Sequence, residues 1–123
     1  MPMGMIRQGV GMVENASDCV EVRVTTSSRE EAERICSAVV GRRLAADCQI
    51  IAPIESVYWW EGEIQRSEEL LLLMKTTAGR FEDLARRVRE SHSYEVPQIV
   101  AVPLVVGNTD YLDWIRRETV PTE

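Results

Sequence analysis

Residues 48–77 read CQIIAPIESVYWWEGEIQRSEELLLLMKTT, and this stretch decides the fold. Two extended runs flank Glu61-Gly62, where a tight turn fits, so the segment predicts one long β-hairpin. Its first arm contains Pro53, which has no N–H to give a ladder, and therefore predicts an edge position or a bulge there. Its second arm ends in the apolar run Leu70–Met74, suited to a central strand covered by helices on one face.

Upstream, CVEVRVTT (19–26) alternates Val20, Val22 and Val24 against Glu21 and Arg23, the period of a half-buried strand. Ser28 followed three residues later by Glu31 is a capping-box pattern that opens a helix. Ala32, Ile35, Cys36, Val39 and Val40 share one face of it, and the helix is expected to end between Gly41 and Leu44. Downstream, Phe81, Leu84, Ala85 and Val88 mark a second helix. VPQIVAVPLV then reads as a strand, and NTDYLDWIRRE as a short terminal helix that Asn108 or Thr109 could cap. The order strand, helix, strand, strand, helix, strand is a split βαβ pattern. It predicts an α+β, ferredoxin-like βαββαβ sandwich with a long hairpin between the second and third strands and a short C-terminal helix. The domain is expected to span 18–119, between a flexible tail at 1–17 and a C-terminal tail at 120–123.

In that sandwich both helices cover the same sheet face. The other face and the hairpin residues Val57, Tyr58, Trp59 and Trp60 then need a cover, because soluble monomers rarely display large apolar patches. Self-association is the expected solution.

A chain of 123 residues makes one domain. Its net charge of −6, with scattered basic residues, argues against a nucleic-acid partner, since phosphate contacts supply most of that affinity. No run approaches the ~20 apolar residues of a membrane span, and no signal-like segment opens the chain. Cys19, Cys36 and Cys48 are odd in number and lack C-x-x-C spacing. They are read as reduced, buried small residues of a cytoplasmic protein.

His92 is the only histidine, three residues before Glu95. One reading is a solvated cation in the last turn of the second helix, favoured by the helix dipole. The other is a ligand for copper or a similar divalent ion, with Glu95 as a hard partner. Two side chains do not complete a site, so Asp47, Glu61 or symmetry-related subunits would have to contribute. Lys75 follows the buried run and needs a partner, for which Glu61 or Glu95 is expected. Tyr111, Leu112 and Trp114 form a helix face expected to cap a neighbouring subunit. A single histidine forms no nucleophilic triad, and no glycine-rich phosphate loop occurs. Tyr94, Glu95 and Lys75 are the only candidate proton-moving cluster. The chain is read as not an enzyme and without an organic cofactor.

The motifs SVYWWEGEI, LLLLMKTT, HSYEVPQIVAVPL and GNTDYLDWI, in order from about Val22 to Ile115, resemble the divalent-cation tolerance (CutA) family. The resemblance implies a homotrimer with hairpins extending across subunit boundaries, a role in divalent-metal tolerance, and copper binding in some members. It places Tyr94 and Glu95 with His92 and Lys75 around an intersubunit cleft, whose candidate ligand-lining residues are Tyr58, Trp60, Glu61, Lys75, Tyr94 and Glu95; the candidate metal ligands remain His92 and Glu95. The alternative is a trimeric, PII-like signalling or scaffold module binding a small ligand or protein in those clefts. Three departures stand out. The family's frequent LAAC reads LAADC here, so Asp47 takes the cysteine's place and Cys48 falls on the opposite strand face. The frequent HPYE reads HSYE. The copper-associated cysteine near the end of the family's first strand has no counterpart in RVTTSS.

Overall fold

The computed structural model describes residues 13–121. Its elements are β1 (Val13–Asn15), β2 (Cys19–Thr26), α1 (Arg29–Gly41), β3 (Asp47–Trp60), β4 (Glu63–Thr77), α2 (Phe81–Ser91), β5 (Ile99–Pro103), β6 (Val106–Asn108) and α3 (Thr109–Glu118). The main sheet runs β3-β4-β2-β5, antiparallel throughout, which is the ferredoxin-like order. Alternation aims Val22 and Val24 of β2 and Leu72 and Met74 of β4 at the same face, where they pair directly across the ladder. Ala32, Ile35 and Val39 of α1 and Leu84 and Val88 of α2 close over them to make the core. No helix among the described residues is long and apolar enough to cross a membrane.

The expected flexible tail at 1–17 is too long at its inner end. Val13–Asn15 pairs with β6 as a separate two-stranded sheet, and Ala16 is buried. The remainder of that expectation, residues 1–12, lies outside the described residues, as do 122 and 123. The terminal helix also departs from expectation. Leu112 and Ile115 are buried against Ala16 and Cys19 of the same chain, so α3 seals its own subunit and caps no neighbour through them. Arg116 ties the unit together, donating to Asp18, Glu14 and Asp113 at 2.8–2.9 Å.

The hairpin turns in two residues, with Glu61 at φ 49° and Gly62 at φ 81°. Both are left-handed, as a type I′ turn requires for its twist to match the strands. Glycine adopts that conformation freely, but a Cβ makes it costly for Glu61. Glu61→Asn, with a residue tolerant of this region, is expected to stabilise the fold by about 0.5–1 kcal/mol. A thermal midpoint that fails to rise by a few degrees would count against the turn assignment.

Pro53 satisfies both alternatives at once: β3 is an edge strand, and it bulges there. Ile51 pairs with Leu71 and Ile54 with Glu69, so β3 uses one residue more than β4 between those pairs.

The cysteines require a correction. Cys36 of α1 and Cys48 of β3 are joined as a disulfide, with Cα atoms 5.5 Å apart, and only Cys19 remains a buried free thiol. The physical reason is the shift in LAADC. Cys48 pairs across the ladder with Met74, so it points under α1 where Cys36 waits, while Asp47 takes the opposite face. The expectation of a cytoplasmic protein loses the support it drew from three reduced thiols.

Candidate functional site

The bulge at Pro53 decides which hairpin side chains form a site. Before it, odd-numbered residues of β3 lie on the helix-free face, as Asp47 does opposite Lys75. After it, the extra residue inverts the alternation. Ser56, Tyr58 and Trp60 now share that face with Ser67 and Glu69, while Val57 and Trp59 turn to the other side. The projecting ribbon and the loop between α2 and β5 then enclose a cleft of about 660 Å³. Tyr58, Trp60, Tyr94 and Glu95 all line it, with Glu69 in its wall. Glu61 sits exposed at the hairpin tip, outside the cleft.

Glu69 is only 7% exposed. Tyr94 donates its hydroxyl to Glu69 Oε2 at 2.6 Å. Burial, reinforced by the Glu69 carboxylate, pushes the Tyr94 phenol well above its ordinary pKa, so it stays a protonated donor. Tyr58 is held from the ribbon, accepting from Ser67 Oγ at 3.3 Å.

The loop carrying Tyr94 is set by two residues whose roles only the structure discloses. Glu31 opens α1 as expected in one half of the capping box, its amide donating to Ser28 Oγ at 3.2 Å. Its carboxylate reaches one residue further back than a standard box: Oε1 accepts from the amide and hydroxyl of Ser27. Oε2 accepts from the Ser93 amide at 2.6 Å, stapling the loop after α2 to the start of α1. Burial raises the Glu31 pKa, but the hydrogen bonds from Ser27 and Ser93 outweigh it, and the net position is below the usual carboxylate value.

His92 is neither of the things expected of it. It is no solvated helix-end cation, because its side chain is fully buried. Nε2 lies 2.6 Å from the Thr25 carbonyl and must therefore donate, and Nδ1 accepts from the Tyr94 amide at 3.0 Å. One ring cannot make both bonds unless it is neutral and protonated on Nε2. Its approach to Glu31 at 3.8 Å is accordingly no ion pair. Both nitrogens are engaged, so the ring offers a metal no lone pair, and His92 with Glu95 does not form a ligand pair within the subunit. Among the described residues, no group of three or more His, Cys, Asp or Glu side chains gathers in a way that could hold a metal ion. The sequence signal for a locking histidine was present in its position between α2 and β5, but nothing local named Thr25 as its partner.

Lys75 stands elsewhere. Its Nζ lies 3.5 Å from Glu21 and 3.1 Å from Gln49 Oε1, on the helix-free face. The expected partners Glu61 and Glu95 are replaced by Glu21 because Lys75 and Glu21 are direct cross-strand neighbours. Tyr94, Glu95 and Lys75 therefore form no single proton-moving cluster in one subunit. Asp47, also named as a possible metal donor, is already engaged: Oδ1 accepts from the Lys75 amide and Oδ2 from the Tyr111 hydroxyl.

A family model described as "CutA1 divalent ion tolerance protein" matches residues 20–118, nearly all of the ordered domain. The chain belongs to the CutA1 family. It is 47% identical over 98 residues to the divalent-cation tolerance protein CutA of Thermus thermophilus, covering 80% of this chain and 95% of that one. It is 38% identical over 100 residues to the rice protein CutA 1, chloroplastic, covering 81% of this chain but 56% of the relative. Against such longer relatives the chain spans little more than half of their length. The solved structure of a divalent cation tolerance protein from Thermus thermophilus superposes with a TM-score of 0.81 at 45% identity, over 83% of this chain and 99% of that one. CutA from Synechococcus elongatus superposes at 0.84 with 28% identity, over 89% and 97%. The ferredoxin-like CutA architecture and family membership read from the motifs are both confirmed. The family's description and the Thermus relative's name both refer to tolerance to divalent ions.

Proposed function

We propose that this chain works as a homotrimer in divalent-cation tolerance, engaging copper or similar ions weakly through carboxylates and not through His92. The match of residues 20–118 to the CutA1 family carries the reading. Two features of the subunit support the assembly. Trp59 is 70% and Ile64 61% exposed on a ribbon that projects beyond the sheet. Ile51 and Val100, both about half exposed, sit on the helix-free face beside Leu71 and Leu73. Each is exposed apolar surface of the kind that marks an interface. The weakness of the metal contact follows from the donor set. Exposed carboxylates such as Glu61 and Glu95 are hard donors, and the one imidazole is locked away.

Expression in a host lacking its own CutA protein is expected to raise the Cu²⁺ concentration that halves growth. No shift, with the protein soluble and assembled, defeats the tolerance role. Calorimetry separates the metal contact from stability. His92→Ala should lose about 2 kcal/mol of folding free energy, from two buried hydrogen bonds and the ring's packing. Its Cu²⁺ and Zn²⁺ binding heats should match those of the wild type. Heats that vanish in a folded His92→Ala protein would restore the imidazole as a ligand.

A further inference from the structure

The cleft beside the hairpin has a one-sided chemistry. Its walls hold three aromatic faces, Tyr58, Trp60 and Tyr94, and two carboxylates, Glu69 and Glu95, but no lysine, arginine or histidine among the described residues. Glu69 is the decisive group. It is buried, its hydrogen-bond partner among the described residues is the neutral Tyr94 hydroxyl, and no cation there pairs with it. A carboxylate taken out of water without a counter-charge is costly, and a bound cation would remove that cost. Aromatic faces favour cations too, most of all those too weakly hydrated to resist leaving water. Val96 adds apolar surface at the rim. A volume near 660 Å³ lies within the range of small-molecule sites. A bare divalent ion suits the cleft poorly, because two carboxylates among aromatic rings do not supply its coordination shell.

We propose that the cleft between the hairpin and the α2–β5 loop binds a small organic monocation, an amine or quaternary ammonium with a short hydrocarbon body. Its charge sits against Glu69, and its methyl or methylene groups lie on the faces of Tyr58, Trp60 and Tyr94. Anionic ligands such as nucleotides are disfavoured by the same walls. Glu95 also belongs to the metal contact proposed above, whereas Glu69 is particular to this cleft.

The test is a titration of tryptophan fluorescence, with Trp60 as the internal reporter, on the full chain in EDTA so that metals play no part. Choline and butylammonium are compared with 3,3-dimethylbutan-1-ol, the neutral isostere of choline. At least one of the two cations should saturate, and the alcohol should bind at least tenfold more weakly than choline when choline is the binder. Glu69→Gln keeps an acceptor for Tyr94 and should weaken cation binding at least tenfold. Glu82→Gln, exposed on α2 and outside the cleft, should leave it unchanged. Sedimentation of the same samples reports assembly. An intact trimer with no saturable response to either cation overturns the cleft assignment and leaves the tolerance reading standing. Equal binding of choline and its neutral isostere, or undiminished binding by a folded Glu69→Gln protein, overturns it as well.

Discussion

Glu31→Ala is expected to lower the folding stability by about 3 kcal/mol, through hydrogen bonds to a charged acceptor that cannot be replaced. The substitution strips the acceptor from the Ser27 amide, the Ser27 hydroxyl and the Ser93 amide together, in a side chain that is 3% exposed. Glu31→Gln keeps the shape and one carbonyl oxygen, and should cost about half as much. The effect is not confined to α1. Ser93 precedes Tyr94, whose hydroxyl holds Glu69, so the freed loop should also loosen the cleft. The pH dependence has a definite sign. The folded pKa of Glu31 lies below its ordinary value of 4.5, so the ionised form stabilises the fold. That contribution is complete above about pH 4.5 and is lost as the pH falls through the folded pKa. Chemical denaturation of wild type and Glu31→Gln should therefore converge as the solution is acidified below pH 4.5. Curves that stay parallel there would show that the carboxylate is not the stapling group.

Trp59→Glu is expected to dissociate the proposed trimer at concentrations where the wild type holds together. Trp59 contributes nothing to the core of its own subunit, being 70% exposed on the far side of the ribbon from the cleft. In the proposed trimer its surface is buried by another copy. A large aromatic at the centre of an interface costs roughly 2–4 kcal/mol on truncation, and a carboxylate placed there adds desolvation to that loss. The concentration needed for assembly should rise by no less than two orders of magnitude. Sedimentation equilibrium should show three chains of 14.0 kDa for the wild type and a single folded chain for the variant. An unchanged mass would remove Trp59 from the interface, and a monomeric wild type would remove the assembly itself.

The elements were legible because their signals are local. Val20, Val22 and Val24 announce β2 by alternation, Ser28 and Glu31 announce the start of α1, and Pro53 announces an irregular edge, each within a few residues. The candidate cleft was legible in part. Tyr58, Trp60, Tyr94 and Glu95 do share one cavity, but Glu69 went unremarked among several glutamates. A carboxylate abutting the Leu70–Met74 run was the available hint, since a strand that continues into the core carries its neighbours inward.

By itself, the sequence determined the order of strands and helices, the antiparallel split βαβ arrangement and the family, because periodicity, caps and motifs are written in neighbouring residues. The tertiary structure decided the chemistry: which aromatic residues face the cleft, that His92 is neutral and locked, that Lys75 meets Glu21, and that Cys48 meets Cys36. Those outcomes depend on contacts across the fold, such as His92 to Thr25 over 67 residues, and on a single bulge whose extra residue inverts every side chain after it.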